Sequence, residues 1–250
     1  MTTPSIPLQS EPSNPPPGRP TVLAFATQKG GMGKTTLSVL VASWLHYKRG
    51  IKVAILDVDG SQLSVVNQRL TEMETMDEEM TARLDEQDIE PYLILSGSPQ
   101  NVPALLAKLP PDVQLVLVDL PGNIDVEGYD LAIRQLDWLL VPMETSQYSV
   151  TTGFNYLSSI KQIKLLPIER CRVVWNKYKP SRDGEVADQL EERFAEHGFQ
   201  SLKCRIPERD NYQNFNRSTL FPMPAAYLRN SGLKDLFTEI EALLPIHQPQ

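Results

Sequence analysis

The tightest constraint on this chain is one short stretch, Lys29-Gly30-Gly31-Met32-Gly33-Lys34-Thr35-Thr36. It stands between an apolar run, Val22-Leu23-Ala24-Phe25-Ala26, and a helical pattern that starts near Thr35. Strand, glycine loop and helix in that order make an anion-binding turn. The glycines let backbone N–H groups converge on the anion, and the helix N-terminus adds a positive partial charge. The common phosphate-loop pattern has a glycine five residues before Gly33, where this chain has Gln28. The match is therefore to a variant with an extra lysine, Lys29, at its start. In such a loop Lys34 reaches the β- and γ-phosphates of a nucleotide, and the Thr35 hydroxyl faces Mg²⁺.

Strand and helix patterns alternate from Val22 onward. Strands are expected at Val22–Thr27, Lys52–Asp57, Pro91–Leu95, Val113–Asp119, Trp138–Val141, Cys171–Asn176 and Ser201–Ile206. Helices are expected at Thr35–Arg49, ended by Gly50, and at Val102–Leu109, Gly128–Gln135, Tyr148–Leu166, Gly184–His197 and Ser231–Leu244. The acidic stretch Glu72–Glu90, whose one base is Arg83, reads as a solvated surface helix and loop. The alternation predicts an α/β fold: a doubly wound, mostly parallel sheet with helices on both faces. It fills one domain over 21–245. Residues 1–20 hold seven prolines and few large apolar side chains, and read as a disordered tail, either a plain linker or a PxxP partner motif. Residues 246–250 form a second short tail.

Two further strands end in carboxylates, at the strand ends where open α/β sheets bind ligands. Asp57-Val58-Asp59 leaves the second strand and Asp119-Leu120-Pro121-Gly122 the fourth. An apolar strand closing on an aspartate, as at Asp119, is the arrangement that reaches Mg²⁺ through water; alone it also fits a turn cap.

These three segments resemble the ParA/MinD family of ATPases, which are phosphate-loop NTPases of the deviant Walker A type. Lys29–Thr36 resembles the deviant Walker A motif. Asp57-Val58-Asp59 is similar to switch I, although Gly60-Ser61-Gln62 follows where Pro-Gln is usual. Asp119-Leu120-Pro121-Gly122 is similar to switch II. Gln28–Arg69 is similar to ParA-type partition proteins of plasmids and conjugative transposons. The resemblance extends over about 21–245.

The resemblance implies ATP and Mg²⁺ as cofactors. The phosphates would lie on Gly30, Gly31, Met32, Gly33, Lys34, Thr35 and Thr36, and Thr35, Asp57 and Asp119 would serve the metal. Asp59 would orient the attacking water, or else cap the helix near Gln62. Lys29 would reach the partner's phosphates in an ATP-dependent homodimer; by residue type alone it is a solvent-facing lysine. Asn176 would lie against adenine or be a plain turn residue, and Pro207, within Ile206-Pro207-Glu208-Arg209, would close the adenine pocket. A protein that stimulates slow hydrolysis is implied as well.

Composition separates the family's branches. A net charge of −7 excludes a chain that coats nucleic acid with its whole surface. The bases are uneven, however. Lys161, Lys164, Arg170, Arg172, Lys177, Lys179 and Arg182 face only Glu169 in that stretch, and Lys203, Arg205, Arg209, Arg217 and Arg229 follow. Such a face would bind DNA without sequence preference, or its bases are scattered around the sheet's rim. Cys171 and Cys204 do not match the cluster ligands of the iron–sulfur relatives. The last helix sets Asp235, Glu239 and Glu241 against Lys234, a poor face for anionic lipid. No apolar run is long enough to span a membrane and no signal peptide is seen, so the expected home is the cytoplasm. Two functions remain: a partition ATPase that binds DNA in its ATP state, and a scaffolding ATPase that places a protein cargo or conjugation apparatus with little DNA affinity.

Overall fold

The computed structural model describes residues 18–60, 62–87, 90–209, 212 and 217–245. Most of the tail expected over 1–20, Ser61 of the switch I segment and the tail 246–250 lie outside them. Seven strands form one sheet: β1 (Thr21–Phe25), β2 (Val53–Asp57), β3 (Leu93–Ser96), β4 (Leu115–Asp119), β5 (Trp138–Met143), β6 (Cys171–Tyr178) and β7 (Gln200–Pro207). Their order across the sheet is β3-β2-β4-β1-β5-β6-β7, and every pair is parallel.

The strand sequences follow from these places. β1, β2 and β4 are interior, buried on both faces, and read as continuous apolar runs. β7 is an edge strand, and its inner residues Leu202, Cys204 and Ile206 are buried while Lys203 between them is exposed. Alternate residues divide two cores. Val22, Ala24 and Ala26 of the β1 region join one core, with Tyr156, Trp175 and Phe194. Leu23 and Phe25 join the other, with Leu37, Leu45 and Phe237.

Helices α1 (Lys34–Arg49) and α9 (Leu233–Ala242) cover the second face, with α2 (Ser64–Glu74) and α8 (Ala225–Leu228) at its margin. Helices α4 (Val102–Leu106), α5 (Tyr129–Ile133), α6 (Gln147–Gln162) and α7 (Pro180–Glu196) cover the first. The acidic segment holds the end of α2 and a separate α3 (Glu78–Gln87).

The apolar face of α9 is spent on packing. Leu233, Leu236, Phe237 and Ile240 are buried, and Phe237 stacks on Trp44 with ring centroids 5.3 Å apart. No helix of the described residues is long and apolar enough to cross a membrane. Helix α7 starts at Pro180, earlier than expected, because the Asp183 carboxylate turns back to accept the Lys179 N–H at 2.7 Å. α8 and two short 3₁₀ turns, Pro99–Asn101 and Ile168–Arg170, carry no periodic signal of their own.

Candidate functional site

β1 lies between β4 and β5; the chain runs from it toward β2 and β3 on one side and later crosses from β4 to β5 on the other, so the connections reverse direction here. The crevice at such a reversal, at the carboxyl ends of the strands, is where these sheets bind ligands. The glycine loop emerges there from β1 and runs into α1. Gly33 has φ of 82°, left-handed backbone that glycine adopts without strain. A Cβ there would also stand 2.8 Å from the Asn176 amide nitrogen. The loop is thus closed from behind by β6: Asn176 Nδ2 donates to the Met32 carbonyl at 2.8 Å.

Under the loop stand the charges expected from the sequence. The Thr35 hydroxyl donates to Asp119 at 2.8 Å and 3.1 Å, to its two oxygens. Asp57 and Asp119 sit opposite each other on neighbouring strands, 0% and 1% exposed. Burial pushes the Asp119 carboxyl up to about 7; Asp57 and Asp59 add to this, against the Thr35 hydroxyl and Lys34. Burial also raises the Asp57 carboxyl, against the Val66 and Val65 N–H groups. Burial pushes the Lys34 ammonium down, and Asp119 and Asp59 oppose it. A side chain on Gly122 would come within 3.4 Å of Lys34 Nζ, so the Asp119–Gly122 turn closes over this lysine.

The aspartate that holds the start of α2 is Asp57. Its Oδ2 accepts the N–H groups of Val65 and Val66 at 2.9 and 3.0 Å. Asp59 meets the following turn through its backbone carbonyl, which accepts from Gln62 and Leu63. The other oxygen of Asp57, Oδ1, is buried without a hydrogen-bond partner among the described residues. An orphaned carboxylate oxygen beside a second carboxylate and a threonine hydroxyl is an oxygen-only donor set, the kind a Mg²⁺ takes together with phosphates and water. Among the described residues no three acidic, histidine or cysteine side chains can hold a metal by themselves.

Lys29 does not project into solvent. Its ammonium lies 3.1 Å from Glu144 and 5.6 Å from the Tyr148 ring centre. Lys177 reaches the other oxygen of Glu144 at 3.6 Å. Glu144 went unnoticed in the sequence, although it leaves the carboxyl end of β5 just as Asp57 and Asp119 leave theirs.

A cavity of about 370 Å³ opens beside the loop, lined among others by Gly31, Gly33, Thr36, Asn176, Pro207, Arg209 and Arg217. Gly30, Lys29 and Lys34 lie outside this lining. A second cavity of about 370 Å³ lies between α6 and α7, with Phe154, Leu190 and Phe194 in its wall beside Arg193 and His197.

Several bases of this face are paired with carboxylates within the fold. Lys179 pairs with Glu208 at 2.7 Å, Arg182 with Asp183 at 2.7 Å, Arg170 with Asp137 at 3.9 Å, and Arg205 with Asp188 and Glu191. Arg172 lies over the Trp138 ring, Arg209 donates to the carbonyls of Arg229 and Asn230, and Lys161 donates to the carbonyl of His197. Lys164, Lys203 and Arg229 are exposed and make no ion pair among the described residues. Arg217 is not on the surface face at all: it lies half-buried against Thr36. Cys171 and Cys204 are buried and free, and burial raises both thiols.

A parallel sheet with a glycine loop and paired aspartates at its reversal defines a phosphate-loop nucleotide-binding protein. The family model described as the CobQ/CobB/MinD/ParA nucleotide binding domain matches residues 23–220, and this chain belongs to that family. The chain is 25% identical over 193 residues to Protein ParA of Rhizobium radiobacter, covering 76% of this chain and 80% of that one. Its fold is similar to a plasmid partition protein of Borrelia burgdorferi B31 bound to AMPPNP, with TM-score 0.62, 16% identity, and coverage of 88% and 99% of the two chains. It is also similar to the MinC:MinD cell division protein complex of Aquifex aeolicus, with TM-score 0.63, 16% identity, and coverage of 92% and 99%.

Proposed function

We propose that this chain is an ATPase that dimerises on ATP and acts in DNA partition, for the segregation or maintenance of a plasmid or conjugative element. The observation that carries this reading is the cluster of Lys34, Thr35, Asp57 and Asp119 beneath the loop, with one buried carboxylate oxygen still lacking a partner. In this reading Gly30–Thr36 wrap the phosphates of ATP, and Lys34 offsets charge on the β- and γ-oxygens. Thr35, Asp57 and Asp119 would hold Mg²⁺, directly or through its waters, and the bound ion would neutralise phosphate charge. Asp59 orients the attacking water. Asn176 and Pro207 bound the adenine pocket. Lys29 leaves Glu144 and reaches the partner's nucleotide, which ties hydrolysis to dimerisation as a cation arriving in trans does. Hydrolysis is slow and raised by a partner protein, and the protein works in the cytoplasm. Family members bound to AMPPNP, or in complex with a partner as MinD is with MinC, support the nucleotide and partner parts.

DNA binding rests on fewer charges than the sequence offered. The ion pairs of Lys179, Arg182 and Arg205 favour the second reading, a scaffolding ATPase that places a protein cargo. Retention on random duplex DNA tests the choice. Partition predicts retention that needs ATP, falls steeply from low to physiological salt, and weakens in Lys203→Glu and Arg229→Glu. No retention at low salt with ATP selects the scaffold.

A further inference from the structure

Arg217 is an anomaly among the basic residues. Its Nη1 donates to the Thr36 hydroxyl at 3.0 Å, across a sequence separation of 181 residues. That is the one hydrogen bond of its guanidinium among the described residues, and no carboxylate there pairs with it. A half-buried guanidinium that faces a cavity, with one of its five N–H donors bonded among the described residues, is suited to bind an anion. Burial pushes this guanidinium down and Asp119 draws it back up.

The backbone beneath it is clamped. Gln68 of α2 donates to the Arg217 carbonyl at 2.6 Å. Glu72 accepts the Thr219 N–H at 2.8 Å, and Arg69 donates to the Thr219 hydroxyl at 2.7 Å. Three side chains of one helix therefore fix the segment whose arginine points at the loop. A guanidinium on a fixed base loses little freedom when it binds an anion.

Position selects the anion. Lys34 lies at the end of the loop closed by Asp119 and Gly122. Arg217 lies against Thr36, two residues further along, in the wall of the cavity that also holds Asn176 and Pro207. A nucleotide with its terminal phosphates on Lys34 and its nucleoside in that cavity must pass its first phosphate by Thr36 and Arg217. We propose that Arg217 is a phosphate-binding residue acting within its own protomer, and that its ligand is the nucleoside-proximal phosphate of the bound nucleotide. The proposal rests on the nucleotide-binding reading above.

Calorimetry with ATP and with ADP, each with Mg²⁺, tests it on the full chain. Arg217→Met keeps the aliphatic stem and removes the charge. It should weaken ATP and ADP equally, by about 10- to 100-fold, the worth of a charge-assisted hydrogen bond. Arg217→Lys should recover part of the loss, because it restores charge but not the forked donor. The two diastereomers of ATP with sulfur on the nucleoside-proximal phosphate give a readout that a packing role would not move: wild type should discriminate between them and Arg217→Met should not. Unchanged affinity in Arg217→Met, loss for ATP alone, or undiminished discrimination would overturn the proposal. A wild-type chain that binds neither nucleotide would overturn the nucleotide reading itself.

Discussion

The two ends of the cleft are built in different ways. The phosphate end is assembled from three segments that each follow a strand directly, after β1, β2 and β4, and its charges are locked together by short bonds such as Thr35 to Asp119 at 2.8 Å. The end proposed for the nucleoside draws on β6, β7 and the segment after β7, and touches the loop through two long-range contacts, Asn176 to Met32 and Arg217 to Thr36. The first end is buried and holds repelling carboxylates that a cation would relieve. The second is open and holds a guanidinium that no carboxylate pairs among the described residues and that an anion would pair. Each end carries the opposite half of one ligand's charge demand, and the difference separates binding strength from catalysis.

Three substitutions probe that contrast. The largest loss of affinity is expected in Lys34→Ala. Two charge-assisted contacts at about 1.5–3 kcal/mol each would cost roughly 10²- to 10⁴-fold in ATP affinity. Calorimetry should show this loss while circular dichroism stays native, and the loss should exceed that of Arg217→Met. Equal losses at the two ends would erase the distinction.

Asp59→Ala should leave ATP affinity within a few-fold and lower turnover by about 10²-fold or more, with the ATP-bound dimer accumulating in light scattering. Wild-type turnover would return Asp59 to a role in the turn before α2.

The smallest effect concerns stability. Asp119 is raised in the folded state from 3.8 to about 7, so folding favours its protonated form. This carboxyl therefore costs the ligand-free fold nothing at low pH. The penalty grows as pH rises above the unfolded value and is complete above about 7. Asp119→Asn keeps an oxygen for the Thr35 hydroxyl and removes the charge. It should raise the ligand-free Tm at pH 8 by about 2–4 °C for each kcal/mol relieved, with little change at about pH 3.5, below the unfolded value, while hydrolysis is lost. A Tm difference that is the same at both pH values would show that the carboxyl is not strained.

The contrast also explains what could be read from the chain. β1, the loop and α1 are contiguous, so glycine spacing and the apolar run define them locally. Asp57 and Asp119 were legible because each closes an apolar strand. Which aspartate caps α2 was not, since Asp57 and Asp59 are both in reach and only the backbone path selects Asp57. Arg217 looked like one more surface base, for nothing within ten residues of it signals Thr36. Glu72 looked like a solvated acid, yet it accepts from Thr219, 147 residues away. The paired bases Arg182 and Arg205 misled for the same reason. Charge can be counted along a sequence, but neutralisation is a property of the fold.

The central claim is that Lys29 serves a second protomer. Its ammonium lies 3.1 Å from Glu144 of its own chain. Two ATP–Mg²⁺ sites face to face would repel, and a lysine crossing from each side offsets that repulsion. Sedimentation with a slowly hydrolysed ATP analogue tests this directly. Wild type should pass from monomer to dimer on adding the analogue. Lys29→Ala should bind the analogue with near-normal affinity, remain a monomer and fail to hydrolyse ATP, with Lys29→Arg recovering only part. A Lys29→Ala protein that dimerises with the analogue and turns over ATP at the wild-type rate would contradict the account.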